Sequence, residues 1–239
     1  MIKFLFGFLL AIIIVITGVA AFFGLVPGLS PLIGAGPKDL LVRFTPEDSK
    51  AARDKMGTQI ITLPANTPIS DDFKLEGKRN AEIDMDSKEL TAHSNNRPWK
   101  NYPVKNVQIR IHQDGTVEGS GTLIISKAMP YAMALGYSQS QIEDAMKKYR
   151  IPPFEVPVYL IGKGSVTNNK VTITTNQLKI GAVNVPKEIV NQASSEAESV
   201  VEDLIQKHNQ SFNCESLTFS DGKMHFKGQL PEKEYVIGN

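Results

Sequence analysis

The sequence predicts an α+β protein: an N-terminal transmembrane helix, then a long curved antiparallel sheet wrapped around helices. Three observations predict it. Phe4–Val26 is an unbroken apolar run without a charge. Glu155–Leu230 reads strand, turn, strand, helix, strand, turn, strand. A long hairpin followed by a helix and a strand occurs twice along the chain, as a weak repeat of organisation and not of sequence. Hairpins of that length with amphipathic helices between them suit an antiparallel sheet with helices gathered on one face. The expected division is an anchor at 1–26, a Pro/Gly linker at 27–37 and one folded domain at 38–239.

The anchor is argued from length. At helical rise the run Phe4–Val26 spans about 34 Å, enough for a hydrocarbon core about 30 Å thick. The rival reading is a cleaved signal peptide, with Gly18-Val19-Ala20-Ala21 as the small-residue cleavage site. Signal cores run about 7–15 residues, and this run continues through Phe22, Phe23 and Leu25. Lys3 favours an N-inside orientation with the main domain outside the cell. The Pro/Gly stretch Pro27–Pro37 then stops the helix and spaces the domain from the bilayer.

Asp39–Phe44 reads as a short strand. Thr45-Pro46-Glu47-Asp48 is a helix start, with Thr45 as N-cap and Pro46 at the first helical position, and Gly57 ends the helix. Thr58–Leu63 alternates like a strand, Pro64–Asp72 is a loop and Arg79–Met85 is a further strand. Asp86 or Ser87 caps a short helix through Leu90 and His93, broken at Asn95-Asn96-Arg97-Pro98. Tyr102–Gln113 and Thr116–Ser126 form a hairpin about Asp114-Gly115. Val107, Ile109 and Ile111 share its apolar face, which Val117, Gly119, Gly121, Leu123 and Ile125 continue. The two glycines leave that face thin and permit a bend or a close approach. Lys127–Leu135 is a short helix, and Ser138 or Ser140 caps another through Tyr149, closed by Pro152-Pro153.

Glu155–Val166 and Lys170–Val183 turn at Thr167-Asn168-Asn169; Phe212–Phe219 and Lys223–Leu230 turn at Ser220-Asp221-Gly222. Between the pairs, Ile189, Val190, Ala193, Ala197, Val200, Val201, Leu204 and Ile205 make one stripe at a period near 3.6. Ser194, Ser195, Glu198, Glu202 and Lys207 lie largely off it. The predicted helix runs from Pro186, as its first residue, to about His208, with Asn209 as a left-handed stop.

The chemistry is sparse. The chain has 26 Lys+Arg against 25 Asp+Glu, and with Lys3 before the apolar run set aside no basic excess remains to release counterions from a phosphate backbone, which argues against nucleic acid. The single Cys214 forms no internal disulfide and reads as a small strand residue. His93, His112, His208 and His225 are far apart in sequence, so neither a metal nor any other cofactor is expected. Asp84-Met85-Asp86 matches a metal-holding acid pair only superficially and reads as a strand-to-helix boundary. Gly162-Lys163-Gly164-Ser165 lacks the spacing and following helix of a phosphate loop. No nucleophile-elbow motif is present. Trp99 and Tyr102 read as core or loop anchors before they read as membrane contacts. A pilin-like subunit would carry an early Glu, and none occurs before Glu47.

Leu178-Lys179-Ile180-Gly181, Val185-Pro186, the long helix and Ser216-Leu217-Thr218-Phe219-Ser220-Asp221-Gly222-Lys223 carry a resemblance. Over Val158–Leu230 the chain resembles the YpmS family of membrane-anchored extracytoplasmic bacterial proteins, itself similar to the tubular lipid-binding (TULIP-like) superfamily. The resemblance implies a long curved sheet around a helix, lining an apolar groove. Residues 38–100 have no counterpart in it.

The leading expectation is a non-enzymatic, single-pass protein of the cell membrane. It would bind or shield a lipid acyl chain through Ile109, Ile111, Leu123, Ile125, Leu160, Ile173, Ile180, Val201 and Leu204. Its partners would be the lipid bilayer and a lipid ligand. The alternative is a structural or regulatory module with a solid core that docks another envelope protein. A continuous apolar tunnel would favour the first, a filled core the second.

Overall fold

The structure is a computed structural model that describes residues 36–148 and 155–239. The predicted anchor, most of the linker, Tyr149 and Pro152-Pro153 lie outside the described residues, as do the side chains from Ala145 to the end of that helix. Among the described residues no helix is long and apolar enough to cross a membrane.

The chain is α+β with two sheets. In order it forms α1 (Pro46–Met56), β1 (Gln59–Leu63), a 3-10 turn (Ile69–Asp71), β2 (Phe73–Glu76), β3 (Arg79–Asp86), α2 (Ser87–Asn95), β4 (Val104–Ile111) and β5 (Val117–Leu123). There follow α3 (Ile125–Ala134), α4 (Gln139–Lys148), β6 (Val156–Thr167), β7 (Lys170–Ile180), β8 (Val183–Asn184), α5 (Lys187–Lys207), β9 (Asn213–Ser220), β10 (Lys223–Leu230) and β11 (Lys233–Ile237).

Local chemistry sets most of these ends. Thr45 and Asp48 exchange the two hydrogen bonds of a capping box, and Gly57 takes the left-handed conformation (φ 55°) that ends α1. Asp86, of the two possible caps, starts α2 and pairs with Glu89 in the same way. Ser138 caps α4 by accepting from the Gln141 N–H at 3.3 Å. Asn168 and Asn169 (φ 49° and 66°) and Asp221 and Gly222 (φ 51° and 72°) are two-residue hairpin turns that need a positive φ at both positions.

Several expectations are corrected. Pro186 is the N-cap of α5, in extended conformation, and not its first helical residue. Asn209 is not left-handed; α5 closes through His208 and a turn in which the Phe212 N–H donates to the His208 carbonyl. Ile125 opens α3 and does not extend β5: the Ile124 N–H still donates to the Pro103 carbonyl, but proline has no N–H to return the bond and the ladder ends there. Asp39–Phe44 is not a strand: Leu41 has φ 57° and breaks the extension. That segment lies against β4 instead, where the Gln108 carboxamide accepts from the Leu40 and Val42 N–H groups at 2.9 and 3.2 Å.

The large sheet is antiparallel and runs β3-β10-β9-β6-β5-β4, with β7 on the opposite edge of β6 and β8 beside β7. The small sheet runs β1-β11-β2, with β1 parallel to β11. β2 and β11 are absent from the sequence prediction. β11 returns from the end of the chain to lie between two strands near its beginning. One continuous apolar core joins both sheets to α5, and includes Met56, Phe73, Trp99, Leu204 and Val236.

Helices seal two strand edges of the large sheet by one device. Ser87, Thr91 and Asn95 of α2 accept from the N–H groups of Ile111, Ile109 and Val107 on β4, at 2.9, 2.9 and 3.0 Å. Glu202 and Glu198 of α5 accept from Val171 and Ile173 on β7, at 3.0 and 2.6 Å, and Ser194 reaches the Thr175 hydroxyl at 2.9 Å. Four helical residues rise about 6.0 Å and two strand residues about 6.7 Å. A polar side chain every fourth helical position therefore keeps step with alternate residues of an antiparallel edge.

Candidate apolar site

The site arises where β6 changes neighbours. β5 pairs with it over Val156–Gly162, and β9 takes the same edge only at Val166. Lys163, Gly164 and Ser165 thus have no strand beside them on that edge. The β4–β5 and β9–β10 turns meet end to end across the gap, with the Asp221 N–H donating to the Gln113 carbonyl at 3.2 Å. Gly115 (φ 79°) permits this approach, because a Cβ there would run into the Phe219 carbonyl.

Behind the gap lies a carbon-lined cavity of about 60 Å³. Leu90 and His93 of α2, Ile109, Leu160, Ile173, Phe219 and Met224 form much of its wall. Phe219 and Met224 are cross-strand partners. The two-residue turn at Asp221-Gly222 sets their register, so that pair was legible in the sequence. Leu90 and His93 were not, because only the docking of α2 along β4 brings them there.

Of the nine sequence candidates, Ile109, Leu160 and Ile173 line the cavity and the other six do not. Ile111, Leu123, Ile125, Val201 and Leu204 are buried in the continuous core, and Ile180 packs against it. The glycines expected to thin the sheet face are filled by their neighbours. A Cβ on Gly119 would touch Leu160, and one on Gly121 would touch Val107. At Gly162, where the β6–β7 register shifts, the Thr174 carbonyl crowds the place of a side chain.

Two titratable side chains border the cavity. Lys163 turns to Asp114, with its Nζ 3.1 Å from the Asp114 carbonyl. His93 Nε2 is enclosed and has no hydrogen-bond partner among the described residues. Burial, with the Arg97 charge acting in the same direction, lowers the His93 pKa to about 3. The ring is neutral across the physiological range and brings no charge to the cavity wall.

The remaining singled-out residues fall elsewhere. Trp99 and Tyr102 are core residues: Trp99 stacks on Phe73 at 5.2 Å and donates to Asp72 at 2.8 Å. Asp84 pairs with His225 at 2.7 Å while Asp86 caps α2, so the two acids serve different structures. Gly162-Lys163-Gly164-Ser165 lies within β6. Cys214 is fully buried, and burial pushes its thiol up to about 11. Among the described residues, no group of three His, Cys, Asp or Glu side chains is placed to hold a metal ion. In comparison with known proteins, no protein family, no curated protein and no solved structure matches the chain.

Proposed function

We propose that this chain is a non-enzymatic, single-pass extracytoplasmic protein of the cell envelope, and that its folded part is a docking module with a filled core. The observation that carries the reading is the cavity. Its 60 Å³ is less than half the ~150 Å³ at which an engineered protein cavity takes up benzene. Six of the nine residues expected to form a lipid groove are spent on packing. The tethered, outward position rests on the apolar run Phe4–Val26 with Lys3 before it, and on the resemblance to the YpmS family.

The second reading keeps the tubular lipid-binding likeness. The carbon wall at the β6 fork favours it, since such a wall suits the end of an apolar chain. Native mass spectrometry of the full chain, gently extracted and offered a phospholipid and a free fatty acid, separates the two. The docking module gives the bare mass under every loading. A stoichiometric lipid adduct that survives extraction would overturn it in favour of the carrier.

A further inference from the structure

Three large apolar side chains stand in solvent among the described residues: Leu41 at 73 % exposure, Ile69 at 38 % and Phe44 at 37 %. Leu41 and Phe44 lie within four residues of each other. Leu40 beside them is 2 % exposed, so the chain buries one leucine and turns the next outward.

The backbone there is built to do this. Leu41 is left-handed at φ 57°, a conformation that glycine or asparagine adopts readily and leucine does not. Four interactions hold it. The Leu41 N–H donates to Asp39 Oδ1 at 2.8 Å. The Gln108 carboxamide takes the N–H groups on either side, and the Arg110 guanidinium takes the Leu40 carbonyl. Strain held in place by its surroundings commonly marks a working position.

We propose that Leu41 and Phe44 form a membrane contact, seated in the bilayer surface next to the anchor. This rests on the reading above that Phe4–Val26 is a retained anchor. Nine residues lie between Val26 and Gly36, and the ten Cα steps from one to the other reach at most about 35 Å. The segment that carries Leu41 and Phe44 is thus the first described part of the body after the tether, and it lies within reach of the lipid. Its cations are already engaged: Arg43 with Asp39 at 2.6 Å, and Lys38 over the Tyr159 ring at 3.9 Å and beside Glu118. The contact is therefore apolar and independent of headgroup charge. Because the same segment is pinned to β4, it fixes how the domain stands on the membrane.

The test uses the full chain reconstituted in phosphatidylcholine vesicles, with and without phosphatidylglycerol. Cys214 is buried, so one introduced cysteine carries the fluorophore alone. Leu41→Cys and Phe44→Cys are the two probes, and Ile69→Cys is the reference. Expected are a blue-shifted emission and several-fold stronger quenching by headgroup-labelled nitroxide lipid at 41 and 44 than at 69, equal in both vesicle types. Chains that pellet with vesicles while labels 41 and 44 stay open to iodide would overturn the contact and leave the anchor standing. Equal quenching at all three positions, or protection only after an envelope protein is added, would also overturn it. Chains that do not pellet at all would instead sink the anchored reading beneath it.

Discussion

His93 shows how one side chain couples the cavity to stability. Its pKa in the fold is about 3 against an ordinary 6.5. Between those values the unfolded chain binds a proton that the folded chain does not, so stability is complete above about 6.5 and falls as the pH drops toward 3. His93→Leu removes that slope. Between pH 6.5 and 4.5 the wild type is expected to lose on the order of 2 kcal/mol that the variant keeps, after allowance for the partial exposure of the ring. Urea unfolding of both chains at the two pH values measures it; equal losses would show that the ring takes up its proton without penalty.

At the scale of elements, the edge seals explain why polar residues sit where they do. Ser194, Glu198 and Glu202 lie off the apolar stripe of α5, yet they face the N–H and hydroxyl row of β7 and are not simply solvated. An open edge would invite pairing with another chain. Glu198→Ala leaves the Ile173 N–H without its acceptor and is expected to cost about 1–3 kcal/mol. Amide exchange at Ile173 should quicken with it, whereas Glu198→Gln, which keeps a carbonyl acceptor, should retain most of the protection. Thr91→Val is the matching change on α2: Thr91 is buried, and the Ile109 N–H would lose its partner. Unchanged exchange at both amides would mean that packing alone, without these hydrogen bonds, holds the helices to the edges.

For the whole molecule, the decisive element is the last one. β11 is the middle strand of the small sheet, and its Glu234 is fully buried against Arg97. Asp72 accepts from the Ile237 N–H at 2.5 Å and from Trp99, so the same strand is tied to the loop before β2 and to the loop after α2. Removing one partner of a buried pair costs far more than the pair itself contributes, because a charge remains in a poorly polarisable interior. Glu234→Gln is expected to destabilise the protein by about 3 kcal/mol or more. Chemical denaturation followed by Trp99 fluorescence reads this directly, since Trp99 belongs to the same network; a loss below about 1 kcal/mol would place that pair with ordinary surface bridges.

What the sequence alone determined is local: the Thr45-Pro46 start and Gly57 stop of α1, the start of α2 at Asp86 or Ser87, the hairpin turns and the stripe of α5. These are torsional preferences and one-sided burial, and each is written within a few residues. β2 and β11 escaped because each is short, and because β11 turns the charged Glu234 inward, which hides its alternation. The fork in β6, the edge seals, the outward Leu41 and the size of the cavity were decided only by tertiary structure. Each depends on how far two distant segments approach each other, a quantity that no single segment encodes. The apolar rows were legible as rows; whether rows enclose a tunnel or fill one another depends on the volumes that meet across the sheet, which no row contains.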